Sequence, residues 1–141
     1  MLVDLDDDFD CAPLLCNDWL PTGAAIKLCF RVAIRAVESW LMADAATLAQ
    51  FLGVASSKIP RNPEQAKDPK TDMVNLARGS RRREIREDIV PRPQSWRRVG
   101  PAYGSRLTEY VVSHWRPKVA AKRANSLQRA MNCLERLVGA I

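Results

Sequence analysis

The chain of 141 residues has little of what small metal-stabilised or disulfide-stabilised folds require. It contains one His and four Cys, and no two Cys follow a C-x-x-C spacing. Structural zinc sites need clustered His and Cys ligands, so this composition argues against a zinc domain. The Cys spacing is equally poor for a disulfide framework, and we expect reduced thiols.

Long apolar runs and an amino-terminal basic segment are also missing. No uncharged stretch reaches the length of a membrane-spanning helix, which needs about 18 apolar residues. The first 20 residues contain no Lys or Arg, whereas a secretory signal peptide begins with a basic region. The sequence therefore predicts a cytoplasmic protein that does not associate with membranes.

Charge is abundant but unevenly distributed. Residues 1–20 contain six Asp, although the whole chain has a formal net charge of +6. The other 121 residues therefore carry a charge of +12, and nine Arg lie between residues 78 and 106. Such a pattern fits a cation site beside a surface that binds a polyanion. The alternative is a solvated acidic terminus on an ordinary Arg-rich surface.

The apolar periodicity predicts an α/β fold in the first third of the chain. Alternating residues predict strands over 2–5 and 25–33, and helical spacing follows each of them. The order strand, helix, strand, helix is typical of a parallel sheet. We expect residues 1–53 to form this α/β core within a single domain that spans residues 1–141.

The remaining residues, 54–141, predict a mostly helical and basic half. Asp68-Pro69 is a favourable helix start, because Pro suits the first turn and Asp can accept a backbone N–H. Asp44 is a second predicted N-cap, for a short helix that Gly53 ends. The clearest helix is the last one, where apolar residues recur at helical spacing from Leu127 to Val138.

The acidic cluster near the start is the main chemical feature. Asp4 and Asp6 follow the first predicted strand in an Asp-x-Asp pattern. Carboxylates at the carboxyl end of a parallel strand lie where α/β folds bind ligands, and two of them can hold Mg²⁺ for phosphoryl chemistry. The pattern is short, so an acidic cap on a surface strand is the alternative.

Several motifs, in order over nearly the whole chain, carry a resemblance to a known family. They are Val3-Asp4-Leu5-Asp6 with Asp10-Cys11, Val37-Glu38-Ser39-Trp40-Leu41-Met42-Ala43-Asp44, Arg61-Asn62-Pro63-Glu64, Asp68-Pro69-Lys70, Gly100-Pro101-Ala102-Tyr103-Gly104-Ser105-Arg106-Leu107, His114-Trp115-Arg116-Pro117 and Ser126-Leu127-Gln128-Arg129. With them the chain resembles an uncharacterised family of TOPRIM-like proteins, a domain of unknown function related to topoisomerase–primase nucleotidyl transferase and hydrolase domains.

The resemblance implies the carboxyl-terminal part of a TOPRIM-like parallel sheet and metal-dependent phosphoryl transfer or hydrolysis on a nucleic acid or nucleotide. By motif, Asp4 and Asp6 would bind Mg²⁺. Glu38 would either join this metal site or hydrogen-bond a nearby Arg. By analogy with related proteins of bacterial genome defence, the partners would be a nucleic acid and an ATPase.

The sequence departs from the family pattern at its start. In TOPRIM domains a strand ahead of the Asp-x-Asp strand supplies a Glu as general acid–base, and this sequence begins at the Asp-x-Asp strand. We therefore expect an amino-terminally truncated copy, or a start codon placed too far downstream. As written, the chain is expected to be inactive, and no catalytic residue is assigned.

Basic residues further along give the second function hypothesis, a non-catalytic module that binds nucleic acid or protein. Arg106, Arg116, Ser126 and Arg129 are candidate phosphate-binding residues. Helix capping by Ser and pairing of Arg with acidic residues is the structural alternative for this set. Trp96, which precedes two Arg, is a candidate for stacking on a base.

Overall fold

The computed structural model describes residues 1–5, 12–20 and 29–139. In these ranges the chain is α/β, with two short strands and a larger number of helices. The elements in chain order are β1 (Leu2–Asp4), α1 (Ala12–Trp19), β2 (Arg31–Ala33), α2 (Val37–Ala43), α3 (Ala45–Leu52), α4 (Pro69–Arg78), α5 (Arg83–Ile89), α6 (Tyr103–Ser113), α7 (Pro117–Ala120) and α8 (Asn125–Gly139). Short 3₁₀ turns at Ser56–Lys58 and Pro63–Gln65 lie between α3 and α4.

The two strands pair in parallel, as the element order predicts. Val3 lies opposite Val32 and Asp4 opposite Ala33, and the Leu5 amide extends the ladder to the Ala33 carbonyl at 3.0 Å. The second strand is predicted over 25–33. The structure has β2 at Arg31–Ala33, the last three residues of that range, and residues 21–28 lie outside the described part. Parallel pairing brings the carboxyl ends of both strands to one edge.

Helix α2 lies at the centre of the fold, with all residues from Glu38 to Ala43 buried. Its Leu41 and Met42 belong to the larger apolar core, which α3, α4, α5 and α6 complete. On another face, Trp40 packs with small residues of α7 and α8 in a second cluster. Trp40 is thus a core residue, with 4% of its surface exposed. A helix buried on several faces must satisfy its polar groups within the protein.

Two of three helix-boundary predictions are confirmed. The Asp68 carboxylate accepts the Thr71 amide at 3.0 Å at the start of α4, and Gly53 ends α3 in the left-handed conformation with φ of 67°. Asp44 precedes α3 as expected, but the prediction of its capping role is wrong. Its carboxylate instead binds Arg116, whose guanidinium donates to both carboxylate oxygens and brings a full positive charge.

The helical half includes elements that the sequence pattern did not indicate. Helix α5 is strongly charged and buries only Ile85 and Ile89, one turn apart, so its amphipathic signal is short. Helix α7 has four residues and starts at a Pro. None of the helices in the described ranges is both long enough and apolar enough to cross a membrane.

Candidate functional site

The carboxyl edge of the sheet meets the start of helix α2. Asp4, the last residue of β1, accepts the Val37 amide through Oδ1 at 2.9 Å. Ala36, the residue before the helix, has no side-chain oxygen with which to cap it. The strand therefore supplies the cap from another element, and the positive end of the helix dipole favours the carboxylate there.

Glu38 is the second residue of α2 and is only 3% exposed. Its Oε1 accepts the Tyr103 hydroxyl at 2.8 Å, so its hydrogen-bond partner is a Tyr of α6. Its Oε2 is buried and has no hydrogen-bond partner in the part of the chain that the structure describes. A buried carboxylate oxygen without a partner is uncommon, because most buried polar atoms are satisfied.

The pKa of Tyr103 depends on its burial and on the Glu38 carboxylate. Burial and the adjacent charge of Glu38 raise the pKa of Tyr103 far above its ordinary value, and the charge of Asp68 adds to the effect. The hydroxyl therefore stays protonated and donates to Glu38 at neutral pH.

A small cleft with a basic lining adjoins this edge of the sheet. We call it the basic cleft; its lining residues are Arg35, Ala36, Lys67, Asp68, Pro69, Lys70 and Arg98. Its volume is about 60 Å³, which suits a group of a few heavy atoms such as a phosphate. Ala36 immediately precedes the Val37 amide that binds Asp4, so the cleft and the end of β1 are neighbours.

The charges of the basic cleft are four cations against one carboxylate. That carboxylate, Asp68, is already paired with Arg98 and hydrogen-bonded to Thr71. The Thr71 backbone bond, with the neighbouring charges of Arg98 and Lys70, holds the pKa of Asp68 below its usual value. Lys67 and Lys70 add positive charge to the lining, which favours an anionic ligand.

Arg35 adds a strained backbone to the cleft. It adopts φ of 69°, in the left-handed region that non-glycine residues rarely occupy. Such a conformation costs roughly 1–2 kcal/mol and is commonly found where a side chain must take up a functional position. The strained residue joins the end of β2 to α2 and lines the cleft.

The predicted magnesium ligands are Asp4, Asp6 and Glu38. Asp6 lies outside the described residues, and no group of three or more His, Cys, Asp or Glu is placed to hold a metal within the ranges the structure covers. The three-carboxylate site therefore remains a prediction. The donors present fit Mg²⁺ in kind, because carboxylate oxygens are hard ligands and Oε2 of Glu38 has no other described partner.

Arg106, the first of the predicted phosphate-binding residues, lies on α6 and contacts two carboxylates. Its Nε donates to Asp88 at 2.7 Å, and its Nη1 donates to Glu109 at 2.7 Å. The hydrogen bonds that Arg106 donates to Asp88 and Glu109 raise the pKa of its guanidinium above the ordinary value. Pairing of Arg106 with acidic residues is the structural alternative to phosphate binding that the sequence analysis left open.

Arg116 forms a bidentate pair with the buried Asp44. Its Nη2 lies 2.7 Å from Oδ1 and its Nε 2.9 Å from Oδ2, and its backbone amide also donates to Oδ2. Burial opposes ionisation of Asp44, but these bonds prevail and hold its pKa below the usual value. The pair fixes the end of α2 to the start of α7.

Ser126 and Arg129 both lie on α8 but differ in environment. The Ser126 hydroxyl accepts the Trp40 indole N–H at 2.7 Å and donates to the Glu64 carboxylate. Glu64 also accepts the Ser126 amide at 3.0 Å and the Asn125 amide at 2.8 Å, so it caps α8. Arg129 is exposed. The four predicted residues thus lie in separate surroundings: one in an acidic cluster, one in a buried pair, one in a helix cap and one at the surface.

The residues of the basic cleft were not singled out as a site from the sequence. Asp68, Pro69 and Lys70 belong to one of the resemblance motifs, but Arg35 and Arg98 lie more than 60 residues apart in the chain. Only the fold brings them together. The one local signal was the Asp68-Pro69 helix start, which fixes where Lys67 and Lys70 lie.

Comparison with family models, curated proteins and solved structures gives no match for this chain.

Proposed function

We propose that the chain is a TOPRIM-like protein that binds Mg²⁺ and a phosphate ester of a nucleic acid or nucleotide at the carboxyl edge of the β1–β2 sheet. In its complete form this site would support phosphoryl transfer or hydrolysis. The observation that carries the proposal is that Asp4, at the end of β1, adjoins the cation-lined cleft through the Ala36–Val37 segment.

The chemistry of the two parts is complementary. Carboxylate oxygens suit a hard divalent cation, and Arg and Lys suit the phosphate oxygens that share it. Asp4, Asp6 and Glu38 would hold the metal, which would supply charge stabilisation at the phosphorus when bound. Arg35, Lys67, Lys70 and Arg98 would orient the phosphate. The carboxyl edge of parallel strands is the usual ligand position in α/β folds.

Metal binding tests the proposal directly. Mn²⁺, followed by electron paramagnetic resonance, should bind the chain saturably, and the Asp4→Asn, Asp6→Asn double variant should abolish that binding. Asn at position 4 keeps an oxygen that can accept the Val37 amide, so the variant should retain the fold. The matched control is Asp18→Asn on α1, which removes an exposed acidic charge and should leave Mn²⁺ affinity unchanged.

Unchanged Mn²⁺ binding in the double variant would refute the metal site.

A second measurement concerns the anion: inorganic pyrophosphate should bind more tightly with Mg²⁺ than without it. The Lys67→Ala, Lys70→Ala variant should weaken pyrophosphate binding, whereas Lys118→Ala on α7 should not. If the two variants behaved alike, the basic cleft would not be the phosphate site.

The second candidate function is a non-catalytic module that binds nucleic acid. It is favoured by basic groups away from the sheet: Arg61 and Arg123 line an open cavity beside α3 and α7, together with the Asp44–Arg116 pair. This function predicts metal-independent binding that survives the Asp4 and Asp6 substitutions. That binding should weaken steeply between about 50 and 200 mM salt. Equal affinity at both salt concentrations would exclude it.

A further inference from the structure

Trp96 is the most exposed large apolar side chain among the described residues, with 90% of its surface accessible. Trp usually contributes a large buried area, so an indole this exposed is unused in the fold. The guanidinium carbon of Arg97 lies 5.8 Å from the ring centroid, within cation–π range. The indole therefore carries an adjacent positive charge and keeps ring surface open to solvent.

The segment that carries Trp96, residues 91–99, is firmly attached at its carboxyl end. The Gly100 amide donates to the Ile89 carbonyl at 2.9 Å, and the Ala102 amide donates to the Asp88 carbonyl at 3.0 Å. A Cβ at position 100 would lie 2.4 Å from the Asp88 carbonyl oxygen, so only glycine permits this approach. We call residues 91–99 the Trp96 loop.

The charge of the Trp96 loop is entirely basic. It contains three Arg, at positions 92, 97 and 98, and no acidic residue. Arg98 pairs with Asp68, whereas Arg92 and Arg97 form no ion pair with a carboxylate in the described part of the chain. An open aromatic face beside Arg97, in a loop that also carries Arg92, complements a polyanion that presents flat rings.

Arg98 connects the loop to the basic cleft, because it belongs to both. Two residues of chain span at most about 7 Å, so the Trp96 backbone lies within about 7 Å of the backbone of Arg98, whose side chain lines the cleft. A base on Trp96 and a phosphate in the basic cleft can therefore belong to one strand. In a duplex the bases are paired and stacked internally, which withholds their faces from the indole.

We infer that the Trp96 loop binds single-stranded nucleic acid, with one base stacked on the Trp96 indole and an adjacent backbone phosphate in the basic cleft. The path of the strand into the cleft rests on the proposed function, since it uses the same phosphate site. The stacking interaction needs no metal. Single-stranded nucleic acid is then the substrate class of the candidate site.

The test is binding of a fluorescein-labelled oligothymidylate of about 12 nucleotides in EDTA, followed by fluorescence anisotropy. The Trp96→Ala variant should bind roughly tenfold more weakly, because it loses one stacking interaction. Trp96→Phe should recover most of the affinity, since a smaller ring still stacks. The matched control is Trp19→Ala on α1, another exposed Trp, which should leave the affinity unchanged.

Two further ligands separate base stacking from attraction to any polyanion. Heparin, which carries charge but no bases, should bind the wild-type and Trp96→Ala proteins equally. A duplex of the same length should bind more weakly than the single strand. A ribonucleotide strand of the same length distinguishes RNA from DNA as the source of the ligand. Equal oligothymidylate affinity in the wild-type and Trp96→Ala proteins would overturn the inference, as would an equal loss of heparin binding.

The EDTA condition makes failure of this inference distinguishable from failure of the proposed function. If Trp96→Ala binds the oligonucleotide normally while Asp4→Asn, Asp6→Asn loses Mn²⁺, the loop assignment is wrong and the metal site stands. If Trp96→Ala binds weakly while Mn²⁺ binding survives the Asp substitutions, the loop assignment stands without the metal site. Because Trp96 is almost fully exposed, its substitution should not unfold the protein.

Discussion

Helix α2 has a buried carboxylate at each end, and the two ends are built differently. Asp44, directly after the helix, is 1% exposed and has both oxygens bonded to Arg116. Glu38, in the first turn, is 3% exposed and has one oxygen on the Tyr103 hydroxyl and one without a described hydrogen-bond partner. The first carboxylate meets a full counter-charge, whereas the second meets only a neutral donor.

This difference separates a structural position from a candidate functional one. Removing a counter-ion from a satisfied buried pair leaves a costly charge, so the Asp44 end should matter chiefly for stability. A buried carboxylate oxygen without a described hydrogen-bond partner is uncommon in a fold, and a bound ligand is one way to satisfy it. The sequence motif Val37 to Asp44 therefore contains two different features at opposite ends of a core helix: a candidate functional carboxylate, Glu38, and a structural ion pair at Asp44.

The largest expected effect is at the Asp44 end. Arg116→Ala should lower the free energy of unfolding by about 2–4 kcal/mol, because it leaves Asp44 buried without its counter-charge. The lower part of this range is favoured since the guanidinium is half exposed. Urea unfolding measures the loss. Arg129→Ala, an exposed charge on α8, is the matched control and should cost less than about 0.5 kcal/mol. Equal losses in the two variants would remove the structural contrast.

The acid dependence of stability should sharpen the same contrast. The bonds from Arg116 outweigh the opposing effect of burial and hold the pKa of Asp44 below its ordinary value of 3.8. A depressed folded-state pKa contributes stability that is complete above the unfolded pKa and is lost as pH falls through the folded pKa. Without Arg116, burial opposes ionisation of Asp44, so the variant takes up the proton at a higher pH than the wild type does. The Tm difference should thus be largest at neutral pH and shrink as pH falls toward the lowered pKa of Asp44 in the wild type.

A Tm difference that stayed constant down to about pH 2 would contradict this assignment. Asp68 also has a lowered pKa, but its partners Thr71 and Arg98 are intact in both proteins. Its acid titration should therefore cancel in the comparison, and only the Asp44–Arg116 pair should remain in the difference.

Local sequence signals predicted the parts of the fold that depend on neighbouring residues. The helix start at Asp68-Pro69 and the end of α3 at Gly53 follow from backbone chemistry within a few residues. The parallel pairing of β1 and β2 followed from element order. Asp44 shows the limit of this reasoning, because a partner 72 residues away determines its role.

Only the acidic part of the candidate site could be predicted from the sequence. Asp4 could be placed at the end of a strand from alternation and the Asp-x-Asp spacing. The basic cleft could not, since its cations come from the β2–α2 junction, the start of α4 and the Trp96 loop. Charge counts along the chain indicated an excess of Arg but not which Arg were paired. Pairing depends on side-chain geometry, as Arg106 and its two carboxylates show.

The smallest expected effect comes from the same carboxylate-to-amide change at the other end of α2. Glu38→Gln keeps an oxygen that can accept the Tyr103 hydroxyl and removes a buried charge that has no counter-ion on its second oxygen. Its free energy of unfolding should change by less than about 1 kcal/mol. The matched variant Asp44→Asn gives up charge-assisted bonds to Arg116 and should lose about 1.5–3 kcal/mol of its free energy of unfolding.

Urea unfolding of both variants, with Mn²⁺ titration of Glu38→Gln, measures the difference between the two carboxylates. If Glu38 is a ligand, Mn²⁺ affinity should fall while stability holds; a stability loss matching that of Asp44→Asn would make Glu38 a structural carboxylate instead.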